Sequence, residues 1–83
     1  MGGWIDELAE AFGQASLSAE ESERLLRAAR EVAHRVERRM TPLAAFLVGL
    51  DVAAREAAGE PRDAALDASI GTVERLLPAP DGG

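Results

Sequence analysis

The sequence contains no cysteine, and its only aromatic residues are Trp4, Phe12 and Phe46. Without cysteine there is no disulfide framework, no thiolate nucleophile and no Cys-ligated zinc, so a small chain must hold together by packing or by association. With so few aromatics, the core must come from a limited set of Leu, Val, Ile and Phe side chains among many alanines. Lysine is also missing: all nine basic residues are Arg, set against 15 acidic ones. The resulting net charge of −6 and a pI near 4.6 exclude a dedicated nucleic-acid-binding domain, whose affinity depends on neutralising phosphates. The all-Arg usage is read as composition bias. No apolar run approaches the roughly 20 residues of a membrane span. The first twelve residues carry Asp6, Glu7 and Glu10 within the apolar pattern, unlike a signal peptide or transit sequence, so the expected compartment is the cytoplasm.

At 83 residues the chain has room for one core. The per-residue rule puts its stability on the order of 4–12 kcal/mol. Gly and Pro punctuation divides it into four segments of helical periodicity, about 3–12, 18–38, 42–58 and 61–77, within a single domain spanning 1–77. Residues 78–83 read as a frayed tail. In the first segment Trp4, Leu8 and Phe12 recur at i, i+4, i+8, and Gly13 is a natural stop. The second opens at Ser18 with Glu21 three residues on, a capping-box pattern, and places Leu25, Leu26, Ala29, Val32, Ala33 and Val36 on one face. Thr41 as N-cap and Pro42 at the first helical position restart the chain, and Pro61 opens the fourth helix in the same way. That helix carries Leu66, Ile70, Val73 and Leu77 on a narrow stripe before Pro78 and Pro80. The fold class that follows is all-α: a compact four-helix domain with short antiparallel connections.

The third helix stands apart. Leu43, Phe46, Leu47, Leu50, Ala54 and Ala57 form what reads as its main packing stripe, yet Ala45, Val48, Gly49 and Val52 make the opposite side apolar as well. A helix apolar all round must be covered. Either the other three helices surround it, or the face of Ala45, Val48, Gly49 and Val52 meets a second subunit or a partner. Gly49 costs about 1 kcal/mol of helix propensity relative to Ala, tolerable where another backbone approaches closely. On the interface reading, Val48→Glu would break an oligomer without unfolding the chain.

The stretch Val32 to Leu50, VAHRVERRMTPLAAFLVGL, resembles the core of a small actinobacterial helical domain family of unknown function. The distinctive residues are Ala33-His34-x-Val36-Glu37-Arg38, then Pro42-Leu43, then Phe46-Leu47-x-Gly49-Leu50. The similarity extends to the opening Trp4-Ile5-Asp6-x-Leu8 and the closing Leu76-Leu77-Pro78, while Arg39 stands where many members have Pro. Members of that family occur alone, or appended to or encoded near MobA-like nucleotidyltransferases that act on the molybdenum cofactor. The resemblance therefore implies a link to molybdenum cofactor biosynthesis and a MobA-like enzyme as a partner. It implies no activity, and the Gly-rich nucleotide loop and parallel sheet of such an enzyme have no counterpart in this chain.

Three constellations invite chemistry. Glu31-Val32-Ala33-His34 has the E-x-x-H spacing of di-iron bundles, but those sites need two such motifs and further carboxylates, and the chain has one His. It is read as a solvated charged face, and no metal is assigned. Arg35, Arg38 and Arg39 crowd the end of the second helix beside Thr41 at the start of the third. They would suit a small anion or phosphate, although positive side chains there also offset the helix dipole. Ser and Thr residues are present, but no nucleophile, base and orienting group converge, so no catalytic residue and no cofactor are assigned. The expectation is a non-catalytic helical interaction module, homo-oligomeric through the third helix, with no nucleic-acid or membrane partner. The alternative is an anion-binding domain using Arg35, Arg38, Arg39 and Thr41.

Overall fold

Each helix boundary has a local cause. The computed structural model of the protein describes residues 3–80, and α1 runs from Trp4 to Ala11. It stops where Gly13 takes φ +69°, a left-handed conformation that costs glycine nothing. Gly13 then donates to the Glu10 carbonyl and Gln14 to that of Ala9, the paired bonds of a Schellman cap. α2 spans Ala19–Arg35 and begins with the full capping box: the Ser18 hydroxyl accepts from the Glu21 amide at 3.0 Å, and the Glu21 carboxylate accepts from the Ser18 amide at 2.8 Å. α3 covers Thr41–Ala57 and ends in a second Schellman cap at Gly59, φ +102°. α4, Arg62–Leu76, completes an all-α, four-helix domain with no strand among the described residues.

Two helix starts and one helix end differ from the sequence expectation. α2 stops at Arg35, not Arg38. Val36 leaves helical geometry and Glu37 is extended, and Arg38–Met40 form a 3₁₀ turn. That turn feeds directly into α3, so Thr41 is already helical at φ −56°, ψ −52°, and caps nothing. Its hydroxyl is instead buried without a partner. Pro61 is extended at ψ 151° and precedes α4 as its N-cap residue, not as its first helical residue.

Contacts between helix ends show the helix directions. Glu21, at the start of α2, binds Arg62 at the start of α4 at 2.9 Å, and Arg24 pairs with Asp67 one turn on. At the other end, Arg35 donates to the Pro78 carbonyl at 2.8 Å. α2 and α4 therefore run in the same sense, and α3, joined to each by a short connection, returns between them. The contact with Arg35 also ties down the beginning of the expected frayed tail, whose residues 81–83 lie outside the described part. The core is small: Val48 of α3 with Leu66 and Ile70 of α4, backed by Leu25, Ala28, Val52 and Val73. Ala65 and Val32 are buried as well. α1 approaches no other helix at backbone packing distance.

Because Glu21 serves both the cap and the α4 ion pair, the capping box couples local to tertiary structure. Ser18→Ala is expected to cost about 1 kcal/mol in urea unfolding. Glu21→Ala should cost more, since the Arg62 contact goes with it; equal losses would show that the interhelix pair contributes nothing.

Candidate functional site

α3 is turned the other way from the expectation. Val48, placed by sequence on an interface, is 9% exposed and belongs to the core, with Val52 half-buried against it. Leu43, Phe46, Leu47 and Leu50, expected to face the core, are 57%, 67%, 64% and 54% exposed. Ala54 and Ala57 continue this outer side. At 100° per residue these positions cluster about half a turn from Val48 and Val52. The result is a contiguous apolar strip, three turns long, facing solvent.

The cause lies in what α4 offers. Its inner surface is Ala65, Leu66, Ser69 and Ile70, all buried, and two of the four are small. Small residues let helix axes approach, and Ala44, Val48 and Val52 fit that surface better than a row of leucines would. A charged group lies on the same side of α3. Arg55 Nε donates to Asp51 Oδ2 at 2.9 Å, and its Nη1 reaches Glu60 at 3.3 Å. The Arg55 hydrogen bond, helped by the Ser69 hydroxyl, holds the Asp51 carboxyl below its ordinary value against some desolvation. The Arg55 guanidinium is raised correspondingly, chiefly by its bond to Asp51. Turning the leucines inward would take Asp51 away from the Ser69 hydroxyl of α4, while its i, i+4 bond to Arg55 would travel with α3.

Ala45 and Gly49, the other two expected interface residues, are exposed and face a different feature. An apolar cavity of about 620 Å³ lies between α1 and the other three helices. Ile5, Leu8 and Phe12 line it from α1, Leu25, Ala29 and Val32 from α2, and Ala45, Val48 and Gly49 from α3. It is open to solvent in part, and Phe12 remains 70% exposed although it lines the wall.

These features belong to a recognised kind of domain: a family model for a domain of unknown function, DUF6457, matches residues 1–82. The chain belongs to the DUF6457 family. No curated protein and no solved structure matches it. The family assignment supplies no site residues, so those of this DUF6457 domain must be judged on geometry alone.

On that ground the arginine cluster is dispersed. Arg35 is committed to Glu31 at 3.0 Å and to the Pro78 carbonyl, and Arg39 to Glu37 at 3.0 Å. Arg38 is exposed, and Thr41 lies at the cavity wall with its hydroxyl buried. The four residues do not converge on one point. The same Arg35 contact takes up Glu31 of the E-x-x-H pattern, while His34 is exposed. Among the described residues no three His, Asp or Glu side chains cluster in a way that would hold a metal ion. Among the described residues no helix is long and apolar enough to cross a membrane.

What sequence reasoning missed was the outward direction of Leu43, Phe46, Leu47 and Leu50. The sequence carries no clear signal for it: Asp51 and Arg55, an i, i+4 ion pair, lie on the same side as Val48, where charge by itself argues for solvent. Two outcomes follow. Val48→Glu buries an unpaired charge beside Leu66 and Ile70 and is expected to cost about 3–5 kcal/mol, unfolding much of the population, instead of leaving a folded monomer. Circular dichroism of the variant checks this. The lowered Asp51 carboxyl contributes stability in full above its ordinary range, and that contribution is lost as pH falls through the depressed folded value. Thermal melts from neutral to acid pH should therefore decline less steeply in Asp51→Asn than in the parent chain.

Proposed function

We propose that this domain is a non-catalytic helical interaction module that self-associates through the outer face of α3. The observation that carries the proposal is the exposed strip of Leu43, Phe46, Leu47 and Leu50 on the side of α3 turned away from the core. Contiguous apolar surface of this kind on a soluble domain marks an interaction site. A second copy fits the chemistry of the strip. Despite the net charge of −6, α3 carries no charged residue from Thr41 to Leu50, so two such faces meet without like charges opposed. Pairing α3 against α3 about a two-fold axis makes the contact self-complementary and closed.

The interface thus moves from Val48 to the leucine face, while the expectation of an oligomer through the third helix is retained. The link to molybdenum cofactor biosynthesis, and the actinobacterial setting, are supported by the resemblance of Val32–Leu50 alone. They make a MobA-like nucleotidyltransferase the first heterologous partner to offer the same face. An anion-binding role for Arg35, Arg38, Arg39 and Thr41 has less support, because two of the three guanidinium groups are engaged within the chain.

Light scattering across a concentration series tests the proposal. The expected result is a dimer that persists at micromolar concentration. Leu47→Glu and Phe46→Glu should each convert it to a monomer with an unchanged circular dichroism spectrum. A parent chain that stays monomeric at every concentration overturns self-association, and co-purification with a MobA-like enzyme then tests the heterologous contact.

A further inference from the structure

The cavity between α1 and the other helices stands independently of the α3 outer face, on the opposite side of that helix. Protein interiors close-pack, and voids larger than a water molecule are few. A volume of about 620 Å³ is therefore not ordinary core slack. It falls within the roughly 300–1,000 Å³ range of small-molecule sites. We propose that it is a binding site for a neutral, elongated aliphatic molecule, which lies between α1 and the three-helix core.

Three observations define that ligand. The first is length: the wall runs along α3 from Thr41 to Glu56, about 22 Å at 1.5 Å per residue, matching an extended chain rather than a compact ring system. The second is polarity. Apart from Gln14, Thr41, Glu56 and the Glu21–Arg62 ion pair, the lining is apolar, so an ionised body would be desolvated without a partner. At the start of α3 Thr41 lines the cavity, but its hydroxyl oxygen is buried out of reach of a water-sized group, so the wall there offers a ligand no polar atom.

The third is the floor. Gly49 is a helical glycine, and a Cβ built on it would meet no atom within 4 Å. Nothing within the chain makes use of its missing side chain, and Ala45 beside it is equally small and exposed. Both keep space clear on the cavity side of α3. Ile5 and Leu8 of α1 and Phe12 at its C-cap supply the opposite wall, yet α1 approaches no other helix at backbone packing distance, so a molecule in the cavity would bridge it to the core.

The test uses the full chain, isotope-labelled, titrated with 1-decanol below its solubility limit and followed by amide chemical shifts. Saturable shifts at Leu8, Phe12, Ala45 and Gly49, with a rise in melting temperature, are expected. Ala45→Phe fills the floor and should weaken binding at least tenfold; Gly49→Leu is the second filler if that variant fails to fold. Shifts that do not saturate, or that survive either folded filler variant, overturn the proposal. So does a ligand-free chain in which Phe12 and Ile5 show close proton contacts to Ala45 and Gly49, because α1 would then occupy the space itself. Running the titration on Leu47→Glu as well keeps the result independent of whether the chain dimerises.

Discussion

Val48, seated against Leu66 and Ile70, is the contact on which the rest of the architecture depends. It fixes the rotation of α3 about its own axis, and α3 is the helix whose every side is apolar over its first half. Once Val48 and Val52 face α4, the positions of all other side chains on α3 follow from the helical repeat: leucines and Phe46 outward, Ala45 and Gly49 towards α1. Asp51 reinforces this choice from the same side, because the Ser69 hydroxyl of α4 reaches its carboxylate in that rotation, whereas the i, i+4 bond to Arg55 lies within α3 and is kept in any rotation. Neither part is strong alone. Partly exposed polar contacts contribute little by themselves, but one made across to α4 favours one of several rotations that burial of apolar area alone leaves close in energy.

A second consequence is that the chain has a thin interior. The buried apolar residues among those described are Val32, Val48, Ala65, Leu66 and Ile70, and no large side chain is fully enclosed. Three of the ten exposed large apolar residues, Trp4, Ile5 and Phe12, belong to α1 and its C-cap, and four more to α3. An 83-residue chain buries a limited share of its surface, and with few aromatics it has few large groups to bury. Anything that covers the outer face of α3 or fills the space under α1 binds the folded state alone and adds to its stability by mass action.

Much of the fold was legible in the sequence where backbone chemistry dictates it. Ser18 with Glu21 announced the start of α2, Gly13 and Gly59 the ends of α1 and α3, and the stripe of Leu66, Ile70 and Val73 the buried side of α4. The start of α3 was not legible, because Thr41-Pro42 has the composition of a cap, whereas the 3₁₀ turn before it leaves no extended residue to act as one. The rotation of α3 was misread for a different reason. Ranking faces by the size of their apolar residues favours Leu43, Phe46, Leu47 and Leu50, but the partner surface decides which face packs. With Ala65 and Ser69 as its small positions, α4 admits the smaller set. The cavity was beyond reach, since it depends on where α1 comes to lie, and that is set across the chain by contacts such as Arg62 to the Ala15 carbonyl in the α1–α2 connection.

The two open sides of α3 differ in a way that separates their roles. The outer strip is convex and built of large, flexible side chains, which gain by interdigitating with another helix. The side towards α1 is concave and floored by Ala45 and Gly49, which have almost nothing to interdigitate and instead leave volume. A convex apolar ridge needs a macromolecular partner to desolvate it, whereas a concave apolar space of a few hundred Å³ is desolvated by something the size of one small molecule. One helix can serve both because Val48 holds its rotation. Val48 and its α4 partners Leu66 and Ile70 also line the cavity, so what fills the space under α1 rests on the core itself, while the outer strip is turned away from it.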